Sequence, residues 1–269
     1  MKKLLFAGIL LMEIFAGGTG KGASRDIGTR LSQDYVQESE DVHKEKRISP
    51  MRCKVTRLTT PPLGTADWNA APWTQIPSQL LQNYMGSFPD HFPKTEVKIA
   101  YDSQAIYVIF RVEDRYVLAV AGKSQDPVFL DSCVEFFFTP DNDISKGYFN
   151  LEMNCGGTLL FKYRRLDNQP PTIISSDDCS RIPVAHTLPK RIDPEIQEPV
   201  TWTVEYAIPL DILRKHVSIS EPKSGTVWRA NFFKCADNSS HPHWLTWNKV
   251  EFPVPKFHLP EFFGEIEFE

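Results

Sequence analysis

The sequence predicts an all-β protein, an antiparallel β-sandwich of the jelly-roll or immunoglobulin-like kind. Three observations predict it: short apolar runs alternate with a period of two, prolines and turn residues separate these runs, and only one short stretch has a helical pattern. Twenty-one prolines in 269 residues is roughly 8 % against a usual ~5 %, and their scatter works against long helices. A hydrophobic share of 41 % with 24 % charged residues is that of a folded globular chain and excludes disorder and collagen. Thirty Lys and Arg against 34 Asp and Glu leave a net charge of −4 and a pI near 6.0, so no basic footprint for nucleic acid is present.

Met1 to Gly20 has the grammar of an export signal: Lys2 and Lys3, the apolar stretch Leu4 to Phe15, then the small residues Ala16, Gly17, Gly18 and Gly20. The mature chain is expected to begin near Thr19 to Ser24. As a helix the apolar stretch would cover roughly 18 Å of a ~30 Å hydrocarbon core, and Glu13 interrupts it, so no integral membrane segment is expected in the mature chain. No cysteine precedes Cys53, so a lipid-attached cysteine directly after the signal is not available. The expected location is exported, either periplasmic or extracellular. Residues 21–50 read as a polar linker or arm, because "QESEDVHKEKR" has no apolar period. One domain is expected over 51–269, with no internal repeat and no tract long enough to divide it.

Within that domain, Ala105 to Asp114 puts Ile106, Val108, Phe110 and Val112 on one face and Tyr107, Ile109 and Arg111 on the other, a strand near the middle of a sheet. Cys133 to Thr139 alternates likewise, "TPDNDISKG" supplies a turn, and Tyr148 to Asn154 returns as its partner. Thr158 to Tyr163, Thr201 to Ile208 and Val227 to Phe233 are further strands, punctuated by Pro209, Pro222 and Gly225; Leu210 to His216 is the short helix. The hairpin turns Val134, Phe136, Phe138, Phe149, Leu151 and Met153 toward a core. Its opposite face then carries Glu135, Asn150 and Glu152, which read either as solvated surface or as a polar cluster for hydroxyl groups or a cation. Two acids also admit a glycosidase reading.

Five cysteines, Cys53, Cys133, Cys155, Cys179 and Cys235, leave at least one unpaired thiol; they read as small buried apolar residues with room for one bridge. No CxxC pair exists, so the spacing gives no support to a zinc site. His241 and His243 flank a proline and lack a third ligand in sequence, the pattern of hydrogen-bonded loop histidines more than of a metal site. Asp141, Asn142 and Asp143 have the oxygens calcium takes, which is also a common turn composition.

In combination, "EVKIAYDSQAIYVIFRVEDRYV", "PVFLDSCVEFFFTP", "GYFNLEMNCGGTLL", "WRANFFKCADNSSHPHWLTW" and "KFHLPEFFGEIEF" resemble the family 9 carbohydrate-binding modules, most closely a stand-alone exported branch, across nearly all of 51–269. The resemblance implies a β-sandwich that binds a polysaccharide or oligosaccharide without cleaving it, some members gripping a reducing-end sugar between two aromatic rings, with calcium possible as a structural ion and no cofactor required. It further implies a role in polysaccharide catabolism. The first aromatic plate falls at Val128, with Phe129 beside it, and the second at Phe257, smaller than the family's tryptophan. The acid of the motif is Glu135. Its polar partners fall at Asn150 and Glu152, where the best-known members resemble Arg and Asn. Trp244 and Trp247 lie in the segment the family places beside the site, and both are candidates for a replaced stacking surface. Trp68 and Trp73 resemble the family's opening segment, and Trp202 and Trp228 read as core.

The expected carbohydrate-binding residues are therefore Phe129, Glu135, Asn150, Glu152, Trp244 and Phe257. Two other readings compete. Fusion of such modules to glycoside hydrolases suggests a xylanase-like enzyme, with Glu135 and Glu152 as the acid pair. A haem-binding sandwich would use a ligand such as Met153, although no CxxCH is present for covalent attachment.

Overall fold

A computed structural model describes residues 49–269. The expected export signal, 1–20, and all but the last two residues of the expected arm, 21–50, lie outside the described residues. In chain order the strands are β1 (Arg52–Arg57), β2 (Gln79–Leu80), β3 (Asn83–Tyr84), β4 (Lys94–Tyr101), β5 (Ala105–Asp114), β6 (Val117–Ala119), β7 (Cys133–Thr139) and β8 (Tyr148–Asn154). They continue as β9 (Leu159–Arg164), β10 (Thr172–Ile173), β11 (Val184–His186), β12 (Ile192–Ile196), β13 (Val200–Pro209), β14 (Val227–Cys235), β15 (Trp244–Thr246) and β16 (Gly264–Phe268). Among the described residues the α-helices are both short, α1 (Ser176–Ser180) and α2 (Leu210–Arg214).

Eleven strands form a curled sheet in the order β10-β9-β8-β7-β14-β16-β1-β4-β5-β13-β11, with β2, β3 and β15 paired off this path, while β6 and β12 form a separate two-stranded sheet. The turn of the curl is β1. Its residues Arg52 to Val55 run parallel to β16, and Thr56 and Arg57 then run parallel to β4, so one strand stitches the two halves together. These two parallel contacts correct the wholly antiparallel expectation. The reason is topological: the first and last strands of the domain meet side by side with the same direction, which no local pattern encodes. The remaining pairings are antiparallel, the longest being β5 with β13, from Val200 opposite Asp114 to Pro209 opposite Ala105.

Alternation decides what each half buries. Ile106, Val108, Phe110 and Val112 of β5 face Val134, Phe136 and Phe138 of β7, and Phe149, Leu151 and Met153 of β8, in one core between the halves. The rings of Phe136 and Phe138 stack at 4.5 Å, Phe136 and Phe232 at 5.0 Å, and Phe110 meets Phe232 edge-on at 6.1 Å. Each fully buried ring of this kind stabilises the fold by about 1.5–3 kcal/mol. Trp202 and Trp228 lie in the same core. Met153, the residue of the haem reading, is enclosed there opposite Val134.

The second faces are also covered. Tyr107 and Ile109 pack with Trp73 and Ile76 outside β5, while Lys98 holds the Trp73 carbonyl at 2.7 Å with its ammonium over the Trp68 ring. The unexpected α1 carries a local signal: Ser175 caps it by accepting from the Asp178 backbone N–H at 3.1 Å, with Asp177 and Asp178 in the first turn. All five cysteines are buried and free, so the single bridge the count leaves room for is not formed.

Candidate functional site

The outer face of β7, β8, β9 and β14 forms the floor of a hollow of about 300 Å³. From β7 come Glu135 and Phe137, from β8 Glu152, from β9 Leu160, Lys162 and Arg164, and from the end of β14 Cys235. Three aromatic rings rim it. Phe129 lies in a 3-10 turn, Val128–Leu130, whose Val128 is buried under it; Phe129 itself is 37 % exposed, which sets it apart from the core. Asp237 N–H donates to the Phe129 carbonyl at 3.3 Å and ties this turn to the end of β14. Trp244, the first residue of β15, pairs opposite Cys235 and donates its Nε1–H to Asp237 at 2.8 Å. Phe257 stacks flat on Phe233 at 4.2 Å.

Of the six residues singled out from sequence, Phe129, Glu135, Glu152, Trp244 and Phe257 line the hollow. Asn150 is buried beside it and acts on its neighbours. Its Nδ2–H donates to Glu152 Oε1 at 2.8 Å and its Oδ1 accepts from Arg164 Nε at 3.2 Å. The arginine that the family resemblance puts on the returning strand is thus replaced by Asn150, and a guanidinium enters from the next strand instead. Lys162, Arg164 and Asp237 were missed in sequence; the alternation Leu160, Lys162, Arg164 on β9 is the signal that could have found the two cations.

The electrostatics are dominated by a pair of acids. Glu135 and Glu152 are direct cross-strand partners, and both are buried. Cys235 Sγ–H donates to Glu135 Oε1 at 3.2 Å. Glu135 Oε2 and Glu152 Oε2 are buried with no hydrogen-bond partner in the protein. Burial pushes the Glu135 carboxyl well above its ordinary range, with Cys235 and Glu152 adding to the effect. Burial also raises Glu152, against the opposing pull of Asn150, Lys162 and Arg164. Raised carboxyls hold a proton at mild pH, so this floor can donate as well as accept. His258, whose ring lies over Phe137 and whose Nδ1 meets the Tyr148 hydroxyl at 3.0 Å, is pushed down to about 3 by burial and then by Arg164, and is neutral.

Two other candidates resolve differently. His243 lies on the inner side, with Nε2 2.7 Å from Lys234 Nζ and Nδ1 2.9 Å from the His241 carbonyl, while the His241 ring stacks on Tyr116. Burial and then Lys234 push His243 down to about 3. Lys234 in turn faces Asp114 at 3.6 Å, which also binds His91 and Trp202, so this is a buried ion-pair network joining the two halves. The Asp141 to Asp143 turn does not fit calcium. Asp141 Oδ2 accepts from Lys146 Nζ and Ser220 Oγ, and Oδ1 from Asp143 N–H, so the chain's own donors occupy the positions a cation would need. A larger recess of about 410 Å³ lies outside the β5–β13 pair, but its two acids already have partners, Glu205 in Ala66 N–H and Trp73 Nε1–H and Asp211 in the Arg181 guanidinium.

An all-β domain carrying rings around buried, unsatisfied hydrogen-bonding groups has the build of a small-ligand-binding module. The chain belongs to carbohydrate-binding family 9, whose sequence pattern matches residues 66–268. It is similar to a candidate carbohydrate-binding protein from Bacteroides uniformis ATCC 8492, with 28 % identity and a TM-score of 0.74 over 82 % of this chain and 100 % of that one. It shares its fold with a family 9 module from Caldicellulosiruptor kristjanssonii solved with glucose, at 18 % identity and a TM-score of 0.55, covering 81 % of this chain and 96 % of the module. The same holds for a cellotriose complex from that organism, at 16 % identity and a TM-score of 0.55, covering 81 % and 94 %. Among curated proteins, none matches the chain in sequence. No helix of the described residues is long and apolar enough to cross a membrane.

Proposed function

We propose that this chain is an exported, non-catalytic carbohydrate-binding protein that captures a glycan in the hollow on β7, β8, β9 and β14. A pyranose presents apolar C–H faces and a ring of hydroxyls. Phe129, Trp244 and Phe257 cover the first, and Glu135 and Glu152 hydrogen-bond the second, with Asn150 and Arg164 holding Glu152 in place. The observation that carries the reading is the pair of buried carboxyl oxygens without protein partners, Glu135 Oε2 and Glu152 Oε2. Leaving such atoms unpaired costs about 1–3 kcal/mol each, a cost that ligand hydroxyls remove. The volume of about 300 Å³ is at the small end for ligand pockets, the size of one or two sugar units or a chain end. Hydrogen bonding and stacking suffice for this recognition, with no cofactor required, and a jelly-roll sandwich is the scaffold we assign to it. Such capture serves polysaccharide breakdown.

Titration calorimetry against glucose, cello-oligosaccharides and a panel of plant and host glycans tests the proposal. At least one ligand binds, and Glu135→Ala or Phe257→Ala weakens it; silence across the panel refutes it. The facing acids favour one second reading, a xylanase-like glycoside hydrolase. Release of reducing sugar by the purified protein, abolished in Glu152→Gln, would establish that reading in place of the first.

A further inference from the structure

Cys133 and Cys235 are 102 positions apart, yet the antiparallel register of β7 and β14 sets them directly opposite each other on the outer face. A donor oxygen of Glu135 joins them: both Sγ atoms and that oxygen lie within 4.8 Å of one another. We propose that Cys133, Glu135 and Cys235 form a site for one thiophilic divalent cation of the zinc class, with an open coordination position toward the hollow.

The donor set selects the metal. Two sulfurs and one carboxylate oxygen suit a borderline-soft ion, whereas calcium and magnesium take oxygens alone. Zinc–sulfur bonds of about 2.3 Å and zinc–oxygen bonds of about 2.1 Å place tetrahedral ligand atoms roughly 3.6–3.8 Å apart. Glu135 Oε1 and Cys235 Sγ stand at 3.2 Å and no separation in the triangle exceeds 4.8 Å, so small side-chain rotations bring the three atoms to that spacing. Glu135 Oε2 stays free of any protein partner, an uncompensated acceptor beside a second acid, Glu152, with which it is in register. A bound cation compensates the charge these facing acids carry when ionised. Cys235 and Glu135 both line the hollow, which supplies the entry path, and Cys133 closes the site from within, packed with Val128 and Leu160. Three protein ligands with a fourth position open is the arrangement of a site that also holds water or a ligand oxygen. Binding expels the two thiol protons, and the carboxyl proton when Glu135 carries one, to solvent. The resulting charge of −1 shares the hollow with the cations Lys162 and Arg164. The absence of CxxC spacing hid this pair, because the two ligands come from different strands.

The test uses the full chain, reduced with a non-chelating phosphine and titrated with Co2+, followed by Zn2+. One equivalent of Co2+ binds with a sulfur-to-cobalt charge-transfer band in the near ultraviolet, and Zn2+ displaces it. Cys133→Ser and Cys235→Ser each lose the band, Glu135→Gln keeps it with weaker binding, and Cys179→Ser, at a separate site, is unchanged. Should Cys133→Ser fail to fold by circular dichroism, Cys235→Ser decides. Absence of the band, its survival in Cys235→Ser, or a Cys133–Cys235 disulfide in protein isolated with zinc present overturns the proposal. No glycan enters the measurement, so failure of the carbohydrate reading leaves this result legible.

Discussion

Replacing Glu135 by Gln should stabilise the ligand-free protein, and by more as pH rises. The carboxyl is 2 % exposed, its one protein donor is a thiol, and its second oxygen has no partner. Its proton is held more tightly in the folded chain than in the unfolded one, where the ordinary value is 4.5. Stability from this group is therefore complete below about pH 4.5 and is lost as pH rises toward the raised folded value. Gln keeps the shape, accepts from Cys235 Sγ–H through its oxygen, directs its amide toward Glu152, and carries no charge. At about pH 8 the unfolded carboxyl is ionised, and burying it requires either leaving that charge poorly satisfied or taking up a proton; Gln escapes both, a gain of about 1–3 kcal/mol, or about 2–12 °C in Tm for a domain of this length. His243 and His258, both pushed down to about 3, act with the opposite sign and add stability as pH rises toward their ordinary 6.5. Comparing variant and wild type at equal pH cancels them. Thermal unfolding by calorimetry from about pH 4.5 to about pH 8 should give curves that coincide at the acid end and diverge upward. Parallel curves, or a variant less stable at the alkaline end, would refute the account of the buried acid.

The same Glu135→Gln protein should lose glycan affinity while gaining stability, separating recognition from folding in one calorimetric comparison. Phe129→Ala should weaken binding about 2- to 10-fold, the worth of one stacking contact, with Tm nearly unchanged because the ring is 37 % exposed. Lys234→Met strips the ammonium from Asp114 in the network between the halves and should cost about 3–5 kcal/mol, read from the urea midpoint. Gly264→Ala places a Cβ 2.6 Å from the Trp247 ring and 2.7 Å from the Met51 carbonyl, so it should lower stability by roughly 1–3 kcal/mol and shift tryptophan fluorescence.

The hairpin shows how much of the site was legible in advance. Period-two alternation is local, so the split of Glu135, Asn150 and Glu152 from Phe136, Phe149 and Leu151 could be read directly and matches the faces of β7 and β8. Asn150 illustrates the limit of that reading: it shares the face but donates to Glu152 beneath the lining. Phe129 could not be assigned from alternation, because a 3-10 turn buries Val128 and lifts its neighbour outward. Lys162 and Arg164 lay in plain alternation, yet only the seating of β9 beside β8 gives them a place in the hollow.

The sequence alone determined the β-rich class, the strand boundaries of β5, β7 and β8, the burial of Trp202 and Trp228 and the family, since each rests on short-range periodicity or ordered motifs, whereas Trp247, a candidate plate by sequence, is packed in the core. Tertiary structure decided which separate segments meet: the parallel seam at β1, the three rings brought from a turn, a strand start and a C-terminal loop, and two free thiols set opposite each other across β7 and β14. The physical reason is register. Chain entropy leaves pairings between distant residues undetermined locally, and only burial of a shared core selects one alignment.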